Sequence, residues 1–232
     1  ILYIFPHPDD ESFGPVTAMH KQLRQGHEVY LLTLTRGGAT KQRFRLKYSV
    51  AEMGEIRLRE MKDVEKTVGL TGMTVLNLPD SGLKEMDPRE IEEICAVHIR
   101  RIRPDVVVTY PVHGISGFHD HLVCHSSVKR TCLSLKEAET LPKRLAFYTI
   151  TGEQAAASNH FPLSGSTEEE IDCRVRVSRK DLEACRAALD CYVTFQETIR
   201  KSGIRDLLSD TACFEIFGEQ RDPCLEDLTS DI

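Results

Sequence analysis

The sequence predicts a single α/β domain, a Rossmann-like three-layer sandwich with a mostly parallel sheet and helices on both faces. Three observations carry this expectation. Short apolar runs rich in β-formers alternate with amphipathic stretches of helical length through residue 135. The first strand, helix and strand have the lengths of a βαβ unit, which implies parallel pairing and a right-handed crossover. Clusters of polar residues follow the ends of strands, where open α/β sheets place their ligands.

The elements follow in chain order. Ile1–Phe5 reads as a buried strand. A helix over about Glu11–Arg24 carries Val16, Met19 and Leu23 at helical spacing, with Gly26 at its C′ position. Val29–Leu34 is the second strand. The loop Thr35–Thr40 after it contains Gly37 and Gly38, which suit an anion cradle or a plain turn. Lys41, Arg43, Arg45 and Lys47 read as a solvated loop or the start of a helix. A helix spans about Val50–Val68, and its Glu55, Arg57, Arg59 and Glu60 have the spacing of exposed ion pairs. Met73–Leu78 is a strand, followed by the loop Pro79–Leu83. Asp80 there is an Asx-turn residue or a crevice carboxylate. A helix over Pro88–Ile102 and a strand over Pro104–Tyr110 come next, then a helix to about Leu135. Thr151–Thr167 reads as a polar loop, Lys180–Ile199 as a helix and Ala212–Phe217 as a last strand.

At 232 residues one domain is expected, with a core over 1–150 and a C-terminal part, 151–232, that completes the fold and walls the pocket. Hydrophobic residues at 41% and charged residues at 28% are ordinary for a globular protein. The net charge of −6 argues against a nucleic-acid partner. No apolar run approaches the ~20 residues of a membrane span. No signal peptide is visible, although the chain opens inside a strand. Eight cysteines form no CxxC pair, which argues against a cysteine zinc site and for reduced thiols in a cytoplasmic protein. No GxGxxG follows the first strand, which argues against a dinucleotide.

Two clusters carry the chemistry. His7, Asp9, Asp10 and Glu11 fall within five residues after the first strand. An imidazole and a carboxylate suit a divalent metal, and a second carboxylate could take a proton from metal-bound water. Helix capping is the plain alternative, but capping needs one carboxylate rather than three beside a histidine. His113, His119, His121 and His125 form the second cluster. Taken singly, each is more often a satisfied polar residue. Taken together, they offer a third ligand and leave a fourth position for water, the layout of a catalytic zinc site.

At this point the sequence resembles the LmbE-like, or PIG-L, superfamily of zinc-dependent de-N-acetylases. His7-Pro8-Asp9-Asp10-Glu11 matches the family's HPDDE signature. Gly117–His121 resembles its Gly-His-x-Asp-His motif, Gly54–Glu60 its Arg-x-x-Glu helix, and Pro79–Leu83 a fourth block. The resemblance covers residues 1 to about 150. It implies His7, Asp10 and His121 as metal ligands, Asp9 as general base, and Arg57 and Asp80 as contacts to glucosamine hydroxyls. It implies Zn²⁺, with Fe²⁺ an alternative, a small N-acetylated substrate such as an N-acetylglucosamine compound, and a homo-oligomer, a trimer or hexamer. One departure is plain: Phe118 stands where the family has its oxyanion-stabilising histidine. His119, oriented by the adjacent Asp120, is expected to take over that role. The alternatives are a non-catalytic or altered binding member of the fold, or a zinc amidase acting on a non-sugar amide.

Overall fold

β1 (Leu2–Phe5) is buried along its whole length, and the other layers are arranged about it. The computed structural model describes every residue except Thr140 and Asn159. After β1 the chain forms α1 (Val16–Arg24), β2 (Tyr30–Thr35), α2 (Gln42–Leu46), α3 (Val50–Val68), β3 (Gly72–Leu78), α4 (Pro88–Ile102), β4 (Val106–Thr109) and α5 (His119–Glu139). It continues through β5 (Arg144–Thr149), α6 (Gly152–Ala157), β6 (Cys173–Arg176), α7 (Arg179–Cys191), α8 (Gln196–Ser202), α9 (Ile204–Leu207) and β7 (Thr211–Ile216).

The seven strands among the described residues form one sheet in the order β3-β2-β1-β4-β5-β7-β6. The first five are parallel, β7 runs antiparallel to β5, and β6 runs antiparallel to β7. Pleating sends alternate side chains of β1 to opposite faces. Tyr3 and Phe5 join a core with Met19 of α1, Val64 of α3 and Leu189 of α7. Leu2 and Ile4 join another with Ile99 of α4 and Val128 of α5. This is the expected three-layer, mostly parallel sandwich. Chain order reverses between β1 and β4, so the crevice beyond their carboxyl ends is the topological switch point.

Several expectations are corrected. The first helix begins at Val16 rather than Glu11. Pro15 disfavours helical geometry in the residue before it, and Asp9 is left-handed at φ +83°, so residues 8–15 turn instead. The first cluster therefore sits in a turn, not at a helix N-terminus. Residues 41–48, read as a solvated loop or the start of a helix, include the short α2, none of whose residues is buried. The expected loop at 151–167 contains α6, started by a Thr151–Gln154 capping box. The expected helix over 180–199 is broken at Tyr192, and Val193 is among the exposed residues. Gln196 Nε2 donates to the carbonyls of Leu189 and Tyr192, which satisfies the end of α7. Arg57 and Glu60 are buried rather than exposed pairs, while Glu55 pairs with Arg36 on the surface. β5 and β6 were not legible as strands.

Candidate active site

The residues that follow β1 and β4 meet at the switch point. His7, Asp10 and His121 each present a ligand atom, and these atoms lie within 4.8 Å of one another. The His7 backbone N–H donates to Asp10 Oδ2 at 2.8 Å, which folds the turn back on itself. His121 Nδ1 lies 2.9 Å from the Gly114 carbonyl, so with its proton there its Nε2 is a free lone pair 3.4 Å from Asp10 Oδ1. Tyr110 stacks on the His121 ring, with centroids 4.2 Å apart and planes 9° apart. Gly114 permits the approach: a Cβ there would stand 2.9 Å from His121 Cβ, and its φ is +62°.

A second group, His7, Asp80 and Asp120, satisfies the same distance test. Its carboxylates have other partners. Asp120 accepts from the backbone N–H of Ser81 and Leu83, and Asp80 accepts from that of Ala39. Asp120 Oδ2 also lies 3.1 Å from His7 Nε2. A proton on Nε2 donated to Asp120 leaves Nδ1 free on the Asp10 side, so Asp120 orients a ligand. It does not orient His119, as the sequence reading expected.

Asp9 occupies the left-handed turn. Its Oδ2 accepts from Arg57 Nη2 at 2.9 Å, and its backbone N–H donates to Tyr192 Oη at 2.9 Å. Burial pushes the Asp9 carboxyl up to about 6, with Arg57 opposing the shift. Tyr192 Oη in turn donates to Glu11 Oε1 at 2.6 Å, and burial pushes Glu11 up to about 7. Burial disfavours a charged His7, but the carboxylates of Asp10, Asp120 and Asp80 outweigh it and raise His7 to about 10. Burial likewise disfavours a charged Asp10, yet His121 and His7 hold it well below the usual carboxylate range. Asp9, Asp10, Asp80 and Asp120 thus converge on two imidazoles and the one guanidinium of Arg57. Four carboxylates so placed favour an added cation, and the donor set fits a divalent metal.

These groups line one end of a cavity of about 330 Å³. His7, Asp9, Asp10, Arg57, Asp80 and His121 all line it, so the structure brings six of the eight anticipated residues together there. Asp120 is buried behind His7. His119 is exposed and does not line the cavity. His125 is a satisfied histidine whose Nδ1 lies 2.8 Å from the Tyr110 carbonyl. Gly38 is a packing glycine rather than an anion cradle, since a Cβ would stand 2.3 Å from the Val50 carbonyl oxygen. Sequence reasoning missed Tyr110, Tyr192 and His160, the last of which also lines the cavity. Tyr110 ends the strand that leads into the second cluster, a signal that was available. The others offered none.

The fold and site define a Rossmann-like α/β protein with two histidines and a carboxylate at the switch point of its sheet. The chain belongs to the GlcNAc-PI de-N-acetylase (PIG-L) family, whose model matches residues 2–132. It is similar to the 1D-myo-inositol 2-acetamido-2-deoxy-alpha-D-glucopyranoside deacetylase of Thermomonospora curvata, 32% identical over 146 residues, 54% of this chain and 49% of that protein. The chain spans about half the length of the first curated relatives it matches. Among solved structures, the N,N'-diacetylchitobiose deacetylase of Pyrococcus horikoshii superposes with a TM-score of 0.61 at 18% identity, covering 93% of this chain and 82% of that one. GalB, the 4-carboxy-2-hydroxymuconate hydratase of Pseudomonas putida, superposes at 0.69 with 12% identity, covering 94% and 96%. At these identities the likeness concerns the fold. Among the described residues, no helix is long and apolar enough to cross a membrane.

Proposed function

We propose that this protein is a zinc-dependent hydrolase that removes the acetyl group from an N-acetylglucosamine-type amide. The observation that carries the reading is the convergence of His7, Asp10 and His121 on one point beside Asp9, at the polar end of the cavity. Iron(II) suits the same ligand set.

His7, Asp10 and His121 would hold a divalent cation, which when bound would supply Lewis acidity and make water more acidic. Asp9 takes the proton of the attacking water and returns it to the departing amine. Among the described residues only its Oδ2 is hydrogen-bonded, to Arg57, which leaves Oδ1 for the proton. Its raised position near 6 suits a base working around neutrality. Tyr192 fixes the Asp9 backbone, and Asp120 fixes the His7 ring. In this reading Asp80 and Arg57, which line the cavity, contact sugar hydroxyls. His160 lines the cavity, whereas the exposed His119 does not.

Asp9→Asn tests the reading. Acetate release should fall by about 10²–10⁴-fold, while zinc measured by atomic emission stays near one per chain. Undiminished turnover would remove Asp9 from the role of base.

A further inference from the structure

Two side chains beside the site, Tyr110 and His125, have no part in the reaction steps. Tyr110 directly follows β4 and lines the cavity, yet it is buried. Its ring lies flat on that of His121, with centroids 4.2 Å apart and planes 9° apart. It also meets Phe5, at the end of β1, with centroids 5.0 Å apart. His125 Nδ1 lies 2.8 Å from the Tyr110 carbonyl, a contact that places the His125 proton on that nitrogen. The His125 ring in turn rests on Phe147 of β5, with centroids 4.8 Å apart. Tyr110 is thus held from β1, from α5 and, through His125, from β5.

His121 needs such a neighbour. The hydrogen bond from its Nδ1 to the Gly114 carbonyl fixes one atom of the imidazole but not the plane of the ring. The χ2 torsion of histidine is broad, so the side chain does not choose that plane by itself. The Nε2 lone pair lies in the ring plane, so the plane decides where it points. Phe118 meets His121 only edge-on, at 77°, and is itself exposed, so it confines the ring less. The flat Tyr110 face permits a single plane. Its negative π-surface also favours an imidazole made electron-poor by a bound cation. Burial and the nearby Asp10 carboxylate push the Tyr110 hydroxyl well above its ordinary range, so the phenol stays neutral.

We propose that Tyr110 is a positioning residue of the metal centre: its ring sets the plane of His121, and His125 anchors Tyr110 in turn. This rests on the reading of His121 as a ligand. It assigns His125 a place two steps from the ion rather than on it. The flat ring carries the effect, and the hydroxyl does not.

The test is metal binding. Zinc affinity is measured by competitive chelator titration, and the visible absorption bands of the cobalt(II)-loaded protein report the ligand geometry. Tyr110→Phe keeps the ring, and zinc affinity should stay within about threefold, well short of the loss of an orienting partner, with the cobalt bands in place. Tyr110→Leu keeps the burial and removes the flat face. Its zinc affinity should fall by about 10–100-fold, with the cobalt bands shifted or broadened. His125→Leu removes the anchor and leaves Tyr110 itself intact, so it tests the assignment even if Tyr110→Leu fails to fold. It should move both readouts in the same direction, by less. Wild-type affinity and unchanged bands in Tyr110→Leu and His125→Leu would overturn the proposal. A Tyr110→Phe protein as impaired as Tyr110→Leu would also overturn it and transfer the role to the hydroxyl. Wild type that binds no zinc would sink the metal reading and this assignment together. Acetate release is not read, so a zinc-bound protein that hydrolyses no amide would defeat the hydrolase reading alone.

Discussion

At the scale of single residues, the site divides into groups written next to one another and groups brought together by folding. His7, Asp9 and Asp10 were legible because four polar side chains crowd five positions, which capping does not require. His121 was legible through its motif. Tyr192 was not, because nothing local distinguishes a tyrosine near a helix end, yet its hydroxyl joins Asp9 and Glu11 from 183 and 181 residues away. The misplacement of His119 is instructive. It opens α5 on the exposed side, whereas Asp120 and His121 turn inward. His119→Ala should therefore leave kcat within twofold, and a loss of tenfold or more would restore its expected role. Gly114→Ala forces a side chain into a left-handed position against His121. Zinc affinity should weaken by about 10–100-fold, as when a ligand loses its orienting partner, and competitive chelator titration would measure it. Unaltered affinity would show that the Gly114 loop does not set the ligand.

At the scale of elements, the parallel half was readable and the antiparallel half only in part. β1 to β4 are bounded by turns and helices, so period and length agreed. β5 escaped because it opens with Arg144, which is fully buried. That arginine donates twice to Glu219 and also to the carbonyls of Leu228 and Ser230, partners that come from the far end of the chain. β6 is four residues long with two arginines, too brief for alternation to stand out. The break between α7 and α8 was hidden for a related reason. The chain there serves the site, with Tyr192 aimed at Asp9 and Thr194 held by Glu60 of α3. Tyr192→Phe removes one hydroxyl from between two buried groups. Urea unfolding should show a loss of about 1–3 kcal/mol, with acetate release also reduced. A neutral effect on both would mean that water replaces the hydroxyl.

At the scale of the whole molecule, the carboxylate of Asp181 ties α7 to α1. Burial disfavours its charge, but Arg24, the Ser178 hydroxyl and backbone N–H, and His20 outweigh this and hold it well below its ordinary range. A depressed carboxylate stabilises the fold fully above the unfolded value of ~3.9, and that contribution is lost as the pH falls through the folded value. Asp181→Asn should cost about 1–3 kcal/mol at pH 7, and the gap from wild type should narrow below pH ~4. An equal gap at pH 7 and pH 3 would refute the electrostatic account. The eight cysteines are free, six of them buried. Burial pushes Cys95, Cys132, Cys173 and Cys185 up to about 12. A thiol reagent should find eight groups after denaturation without reductant. In the native state it should react quickly only with the half-buried Cys191 and Cys224. A lower total would reveal disulfides.

The seam between β1 and β4 carries one more consequence. The proposed ligands lie on opposite sides of it, His7 and Asp10 after β1 and His121 after β4, more than a hundred residues apart in the chain. An ion bound there acts as a rivet across the middle of the sheet, and no half of the chain can hold it alone. Zinc at a hundred times its dissociation constant would add about 2.7 kcal/mol to the folded state. The protein's resistance to unfolding, and with it its lifetime among proteases, should then follow the free-metal level of its surroundings.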